Sequence, residues 1–146
     1  MRTALFLALA CAGCLDALGP EVGPPLQPSC SANDSDPSTR VHFDADIRSA
    51  AFARACARCH TPAGATPIGM QVSGLDLTSA TSLRSGGVQS GSDIVIPGDP
   101  CASVLVQKLG QAPPFGARMP LDGPPYLDAR ELQLISDWIV EGAVDD

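Results

Sequence analysis

Three residues of this chain have the types and the spacing to do chemistry together: Cys56, Cys59 and His60, in the run "ARACARCH" at positions 53–60. Two cysteines at i and i+3 place both sulfurs on one side of a helical turn, and a histidine directly after them can turn its ring toward whatever those sulfurs hold. Four kinds of chemistry use such a triplet. A zinc site needs four ligands, and no second Cys/His pair follows at knuckle spacing; His42 and Cys101 are too scattered to complete one. A thioredoxin-like dithiol needs a strand before it, whereas the residues before Cys56 are alanine-rich and helical in pattern. A disulfide within one helical turn is strained and gives His60 no purpose. Thioether bonds to the two vinyl groups of a haem, with His60 as an axial iron ligand, use all three residues.

A haem iron held by His60 needs a sixth ligand or an open site. Methionine sulfur favours ferrous iron and raises the potential, which suits electron transfer. The candidates are Met119, Met70 and His42. Met119 is preferred because it lies far along the chain, in "PPFGARMPLDGPPY", where Pro and Gly stiffen a loop able to return over the opposite face. Met70 reads as a core or loop methionine, and His42 as a surface residue close in sequence to His60.

The elements that must position these residues are few. An alanine-rich stretch, 44–59, carries Ile47, Phe52 and Ala55 at helical spacing and leads into the triplet. A short helix is expected over 100–109, with Asp99 as its cap and Gly110 as its stop. The clearest helix is the last, where Asp128 and Glu131 form a capping box, Leu132, Ile135 and Ile139 make a stripe, and Gly142 ends it. Trp138 on that helix reads as a core residue at a helix crossing. Two long stretches, 61–98 and 110–127, are expected to be irregular, which makes sense if loops wrap around a group that replaces part of the core. With 146 residues, 14 Gly, 14 Pro and few aromatics, the chain suits one small helical domain rich in loops.

The first residues, "MRTALFLALACAGC", have one basic residue, an apolar run and small residues ending at Cys14, the layout of an export signal too short to span a bilayer. "CAGC" resembles a bacterial lipobox, with Cys14 as the lipid-bearing cysteine and Cys11 as the second candidate. Residues 14–40, rich in Pro, Gly and Ser, read as a tether between that anchor and a domain at 41–146, leaving 1–13 as the signal peptide. The expected location is therefore outside the cytoplasm, in the periplasm, attached to the membrane through lipid. A net charge of −7 argues against nucleic acid as a partner. Nothing in the sequence arranges a nucleophile, base and oxyanion site, so no enzyme is expected.

From about Val41 to Val144 the chain resembles the small c-type cytochrome domains of the cytochrome c family, in their planctomycete- and myxobacteria-like lipoprotein form. The resemblance rests on "FARACARCH", "GLDL" at 74–77, "IVIPGDPCASVLVQKL" at 94–109, "ARMP" at 117–120 and "ELQLISDWIVEGA" at 131–143. It implies an all-α, cytochrome c-like domain of few helices and long haem-wrapping loops, whose first and last helices cross. It also implies one covalent haem c, with His60 as proximal ligand and Met119 as distal ligand. The implied function is transfer of single electrons between redox partner proteins; the alternative is a haem sensor or peroxidase-like enzyme with an open iron site. Cys101 departs from the family pattern. With Cys56 and Cys59 assigned to haem and the first two cysteines to the signal, Cys30 and Cys101 remain, and in an oxidising compartment they are expected to form a disulfide.

Overall fold

A computed structural model of the chain describes residues 30–146. The signal-like stretch, Cys11, Cys14 and the first half of the tether lie outside the described residues. Those that are described form helices joined by loops, with no strand among them, and no helix there is long and apolar enough to cross a membrane.

The stretch expected as one helix over 44–59 is helical in three pieces. Phe43–Phe52 is wound as a π-helix, π1, followed by α1 (Ala53–Ala55) and α2 (Ala57–His60). Wider winding shows in the Ala53 N–H, which reaches Arg48 O five residues back. The break between α1 and α2 falls on Cys56, whose φ of −123° is outside the helical range. It is local, because Cys56 N donates to Phe52 O at 2.8 Å and His60 N to Cys56 O at 3.0 Å, so four-residue bonds run up to and away from the break.

The stretch 61–98, expected to be irregular throughout, holds α3 (Ile68–Ser73), α4 (Ala80–Ser85) and a 3-10 turn (Gly91–Ile94). Their stops and starts are chemical. Gly74, at φ +70°, ends α3 with its N–H on Met70 O, a left-handed position that suits glycine. Ser79 caps α4 in a reciprocal box with Ser82, a serine standing where the usual box has Glu or Gln. The helix expected over 100–109 begins later, as α5 (Val104–Leu109). Asp99 still caps, but it caps a turn: its Oδ1 accepts from Ala102 N, while the buried Ser103 hydroxyl donates to Asp99 O and accepts from Ile96 N. The stretch 110–127 contains no helix, as expected from its prolines.

α6 (Ala129–Val140) follows the sequence most closely. Asp128 Oδ1 accepts from Glu131 N at 2.8 Å and Glu131 Oε2 accepts from Asp128 N at 2.9 Å. Its apolar face packs on π1. Phe43, Ile47, Ile135, Trp138 and Ile139 are fully buried, with the Phe43 and Trp138 rings 5.3 Å apart. Trp138 Nε1 donates to Val144 O, so the polar handle of the most buried aromatic is satisfied.

Residues 30–40, read from sequence as the end of a tether pinned to the domain at Cys30, lie along this core together with Val41. Cys30 and Cys101 are joined by a disulfide with a Cα–Cα distance of 5.5 Å. Ser35 donates to the Asp137 carboxylate from both its N–H (3.0 Å) and its hydroxyl (2.5 Å), and Val41 N donates to Glu141 Oε2. The segment is a strap across α6, pinned to the turn before α5.

Candidate functional site

The triplet lies at the end of the first helical stretch, with the break between α1 and α2 at Cys56 and with Cys59 and His60 in α2. Cys56 and Cys59 are both free thiols and are not bonded to each other. Cys56 packs against the hydrophobic core, and burial pushes its thiol up to about 12, with the Arg54 charge opposing the shift. That direction is opposite to the lowered pKa of a dithiol poised for exchange. Cys59 Sγ sits 3.7 Å from Thr66 Oγ1.

His60 is fixed at both ends. Its carbonyl accepts from Leu77 N, and its ring Nδ1 lies 3.3 Å from Leu75 O. A carbonyl only accepts, so Nδ1 carries the hydrogen and Nε2 keeps its lone pair. Burial lowers the pKa of the ring below its ordinary value, with the Leu75 carbonyl opposing. A neutral imidazole with one nitrogen anchored to a backbone carbonyl and the other unprotonated is the state a metal ligand requires. The segment that supplies Leu75 O and Leu77 N is "GLDL", which the sequence marked only through its family resemblance. Opposite Nε2 is Gly69 of α3, where a Cβ would come to 2.7 Å of that nitrogen. A glycine there keeps side-chain atoms away from the nitrogen that would ligate.

The three sixth-ligand candidates part company. Met119 is half-buried and packs against the same hydrophobic cluster as Cys56, and its N–H donates to Lys108 O at 2.8 Å. Met70 is half-buried on α3, beside Gly69. His42 is exposed at the start of π1, with Nδ1 3.3 Å from Asp146, and is occupied by the chain terminus.

Residues flanking the triplet and residues that follow Met119 line a cleft of about 130 Å³: Arg54, Ala55 and Arg58 on one side, Pro120, Asp122 and Pro125 on the other, with none of Cys56, Cys59, His60 or Met119 in its walls. Arg58 and Asp122 bridge it at 2.6 Å. Arg54 forms a two-point pair with Glu131 of α6, at 2.9 and 2.5 Å. These links join the triplet segment, the Met119 loop and the last helix, and sequence spacing carried no signal for them. Among the described residues no group of three His, Cys, Asp or Glu side chains converges as a metal site, so the zinc alternative has no ligand set there.

Two unpaired thiols at i and i+3, a histidine whose Nε2 side lies against Gly69 of α3, and a half-buried methionine packed on the same core cluster as Cys56 are the residue types that could attach and ligate a haem. Comparison with protein-family models, with curated protein sequences and with solved structures finds no match to this chain.

Proposed function

We propose that this chain is an exported mono-haem c-type cytochrome that carries single electrons between redox partner proteins at or near a membrane. The observation that carries the reading is the triplet itself: two free thiols on one turn, followed by an imidazole whose Nδ1 is held by Leu75 O. In this reading Cys56 and Cys59 would hold a haem through thioethers, and His60 Nε2 and the Met119 sulfur would ligate its iron. The group, when bound, supplies one-electron redox chemistry.

The chain's own residues set the conditions. Leu75 O fixes the ring tautomer and raises the basicity of the ligating nitrogen. Burial lowers the pKa of the imidazole and so favours the unprotonated ring that ligation needs. The apolar cluster behind Cys56 and Met119 keeps water from one side of the site. Attachment to the membrane rests on Cys14 as the lipid-bearing residue. Changing Cys14 to Ser is expected to release the protein from membranes while leaving haem attachment intact; unchanged membrane fractionation contradicts the anchor, and release only in a Cys11 variant moves it.

The test of ligation is the visible spectrum of the full chain expressed with haem-attachment machinery, beside its Met119→Ala and Met70→Ala variants. Electron transfer predicts a six-coordinate, sulfur-ligated iron that becomes high-spin in Met119→Ala alone. A high-spin, five-coordinate iron in the unmodified chain would instead support the sensor or peroxidase-like alternative.

A further inference from the structure

The loop that carries Met119 has no helix of its own, and one side chain of α5 binds it at two points. Lys108, the only lysine in the chain, lies in the last turn of α5. Its Nζ donates to Phe115 O at 2.6 Å and to Ala117 O at 2.5 Å, and it stands 4.9 Å from the centre of the Phe115 ring. The residue between those two carbonyls is Gly116, at φ +56°, a conformation that turns both carbonyls toward the same ammonium and that residues with a Cβ rarely adopt. A Cβ at 116 would lie 3.6 Å from Nζ, so the turn is wrapped closely around the cation.

The same residue also holds the far end of the turn, because Lys108 O accepts from Met119 N at 2.8 Å. Lys108 thus holds the loop at three points, through Nζ at 115 and 117 and through its carbonyl at 119. Arg118 adds a second tie to the same helix end, with Nε donating to Leu109 O while its guanidinium lies 3.8 Å over the Tyr126 ring. An ammonium with three donors suits this task, since each carbonyl bond is charge-assisted and the donors can rotate to meet both acceptors.

We infer that Lys108 is a positioning residue for Met119, clamping residues 115–119 so that the methionine sulfur stays presented to the cofactor site. The inference rests on the haem reading above and adds to it a cause for ligand retention. A sixth ligand on an unclamped loop spends part of its time away, and an external ligand then binds in proportion to that open fraction. Lys108 keeps the open fraction small.

The experiment uses the full-length holoprotein and reads the ferric sulfur-to-iron charge-transfer band together with the affinity for added imidazole. Lys108→Met is expected to weaken the band and to tighten imidazole binding about tenfold, equivalent to about 1.4 kcal/mol in the closing of the loop. Lys108→Arg, which keeps charge and donors, is expected to restore most of both. Gly116→Ala, which leaves the cation in place but opposes the turn, is expected to shift both readouts in the direction of Lys108→Met, and it decides the matter if Lys108→Met yields no holoprotein. A band and an imidazole affinity unchanged from the parent in Lys108→Met, or in Gly116→Ala where that variant decides, overturn the inference. Met119→Ala separates the two levels: if it leaves the parent's band intact, the ligand assignment fails; if it abolishes the band while Lys108→Met leaves both the band and the imidazole affinity at the parent's values, only the clamp fails.

Discussion

Around Trp138 the chain is held by burial, and around His60 it is held by individual polar bonds. In the first region Phe43, Phe52, Ile135, Trp138 and Ile139 from two helices are almost wholly removed from water, and the strap at 30–41 is held by a disulfide, two bonds to the Asp137 carboxylate of α6 and one to Glu141 just after it. In the second region the triplet, α3 and the Met119 loop have half-buried side chains, short helices and exposed ion pairs. The exposed large apolar residues lie there too: Ile68 and Val72 on α3, Val88 beside its end, and Leu121 two residues after Met119. The contrast shows a division of labour. Apolar burial is proportional to area and non-directional, and it carries stability; directional bonds fix where a ring nitrogen or a loop carbonyl sits, and they carry positioning.

That division can be broken most severely at Trp138. Trp138→Ala is expected to destabilise the protein by about 3–5 kcal/mol, from lost transfer energy and the cavity left behind; a shift in the urea midpoint equivalent to less than about 1 kcal/mol would mean the core lies elsewhere. Next is the strap. Replacing Cys30 and Cys101 together with Ser opens a loop whose ends are 71 residues apart. In the loop-entropy account this removes up to about 4 kcal/mol from the chain without haem. Thioether links at Cys56 and Cys59 shorten that loop by only a few residues, so nearly the same loss is expected in the holoprotein; no measurable loss in the urea midpoint of either form would contradict the strap's role.

Ser35→Ala should have a smaller effect, about 1–2 kcal/mol, because the Asp137 carboxylate is 5% exposed and would lose a hydroxyl donor inside the structure. Gln133 Nε2 and Ser35 N remain as its donors. Denaturation of the variant and of Asp137→Asn in parallel shows whether the strap acts through that carboxylate: the double variant should lose less than the sum of the two single losses. The smallest stability effect belongs to the site. Arg58 and Asp122 are 55% and 54% exposed, and breaking their pair in Arg58→Ala should change stability by less than about 1 kcal/mol. A larger loss would show that the site region carries stability as well.

What could be read from sequence was local. The α6 capping box, the Trp138 core position and the triplet each depend on residues within a few positions of one another, and the structure places the first two as the pattern implies. The arithmetic of cysteines left over pointed to Cys30 and Cys101, which the fold joins. What escaped the sequence is set by distant partners. The break at Cys56 interrupts a run of alanines with no local breaker, and the helices at 68–73 and 80–85 are too short for periodicity to reveal. The docking of residues 30–41 was hidden behind a composition of Pro, Ser and Asp that is typical of a solvated tether; it comes from Asp137 and Glu141, about a hundred residues away. Lys108, a single lysine on a short helix, gave no hint that its ammonium would bind two carbonyls on the loop beyond Gly110.

The central claim is that Cys56 and Cys59 hold one haem covalently. It is tested most directly by the intact mass of the denatured full chain, expressed with haem-attachment machinery, beside a Cys56→Ser/Cys59→Ser variant. The account predicts that the parent retains the mass of a single haem and its visible absorption after denaturation and acid extraction, and that the double variant loses both. A parent chain that leaves denaturation without haem mass, or a double variant that keeps it, would contradict the account.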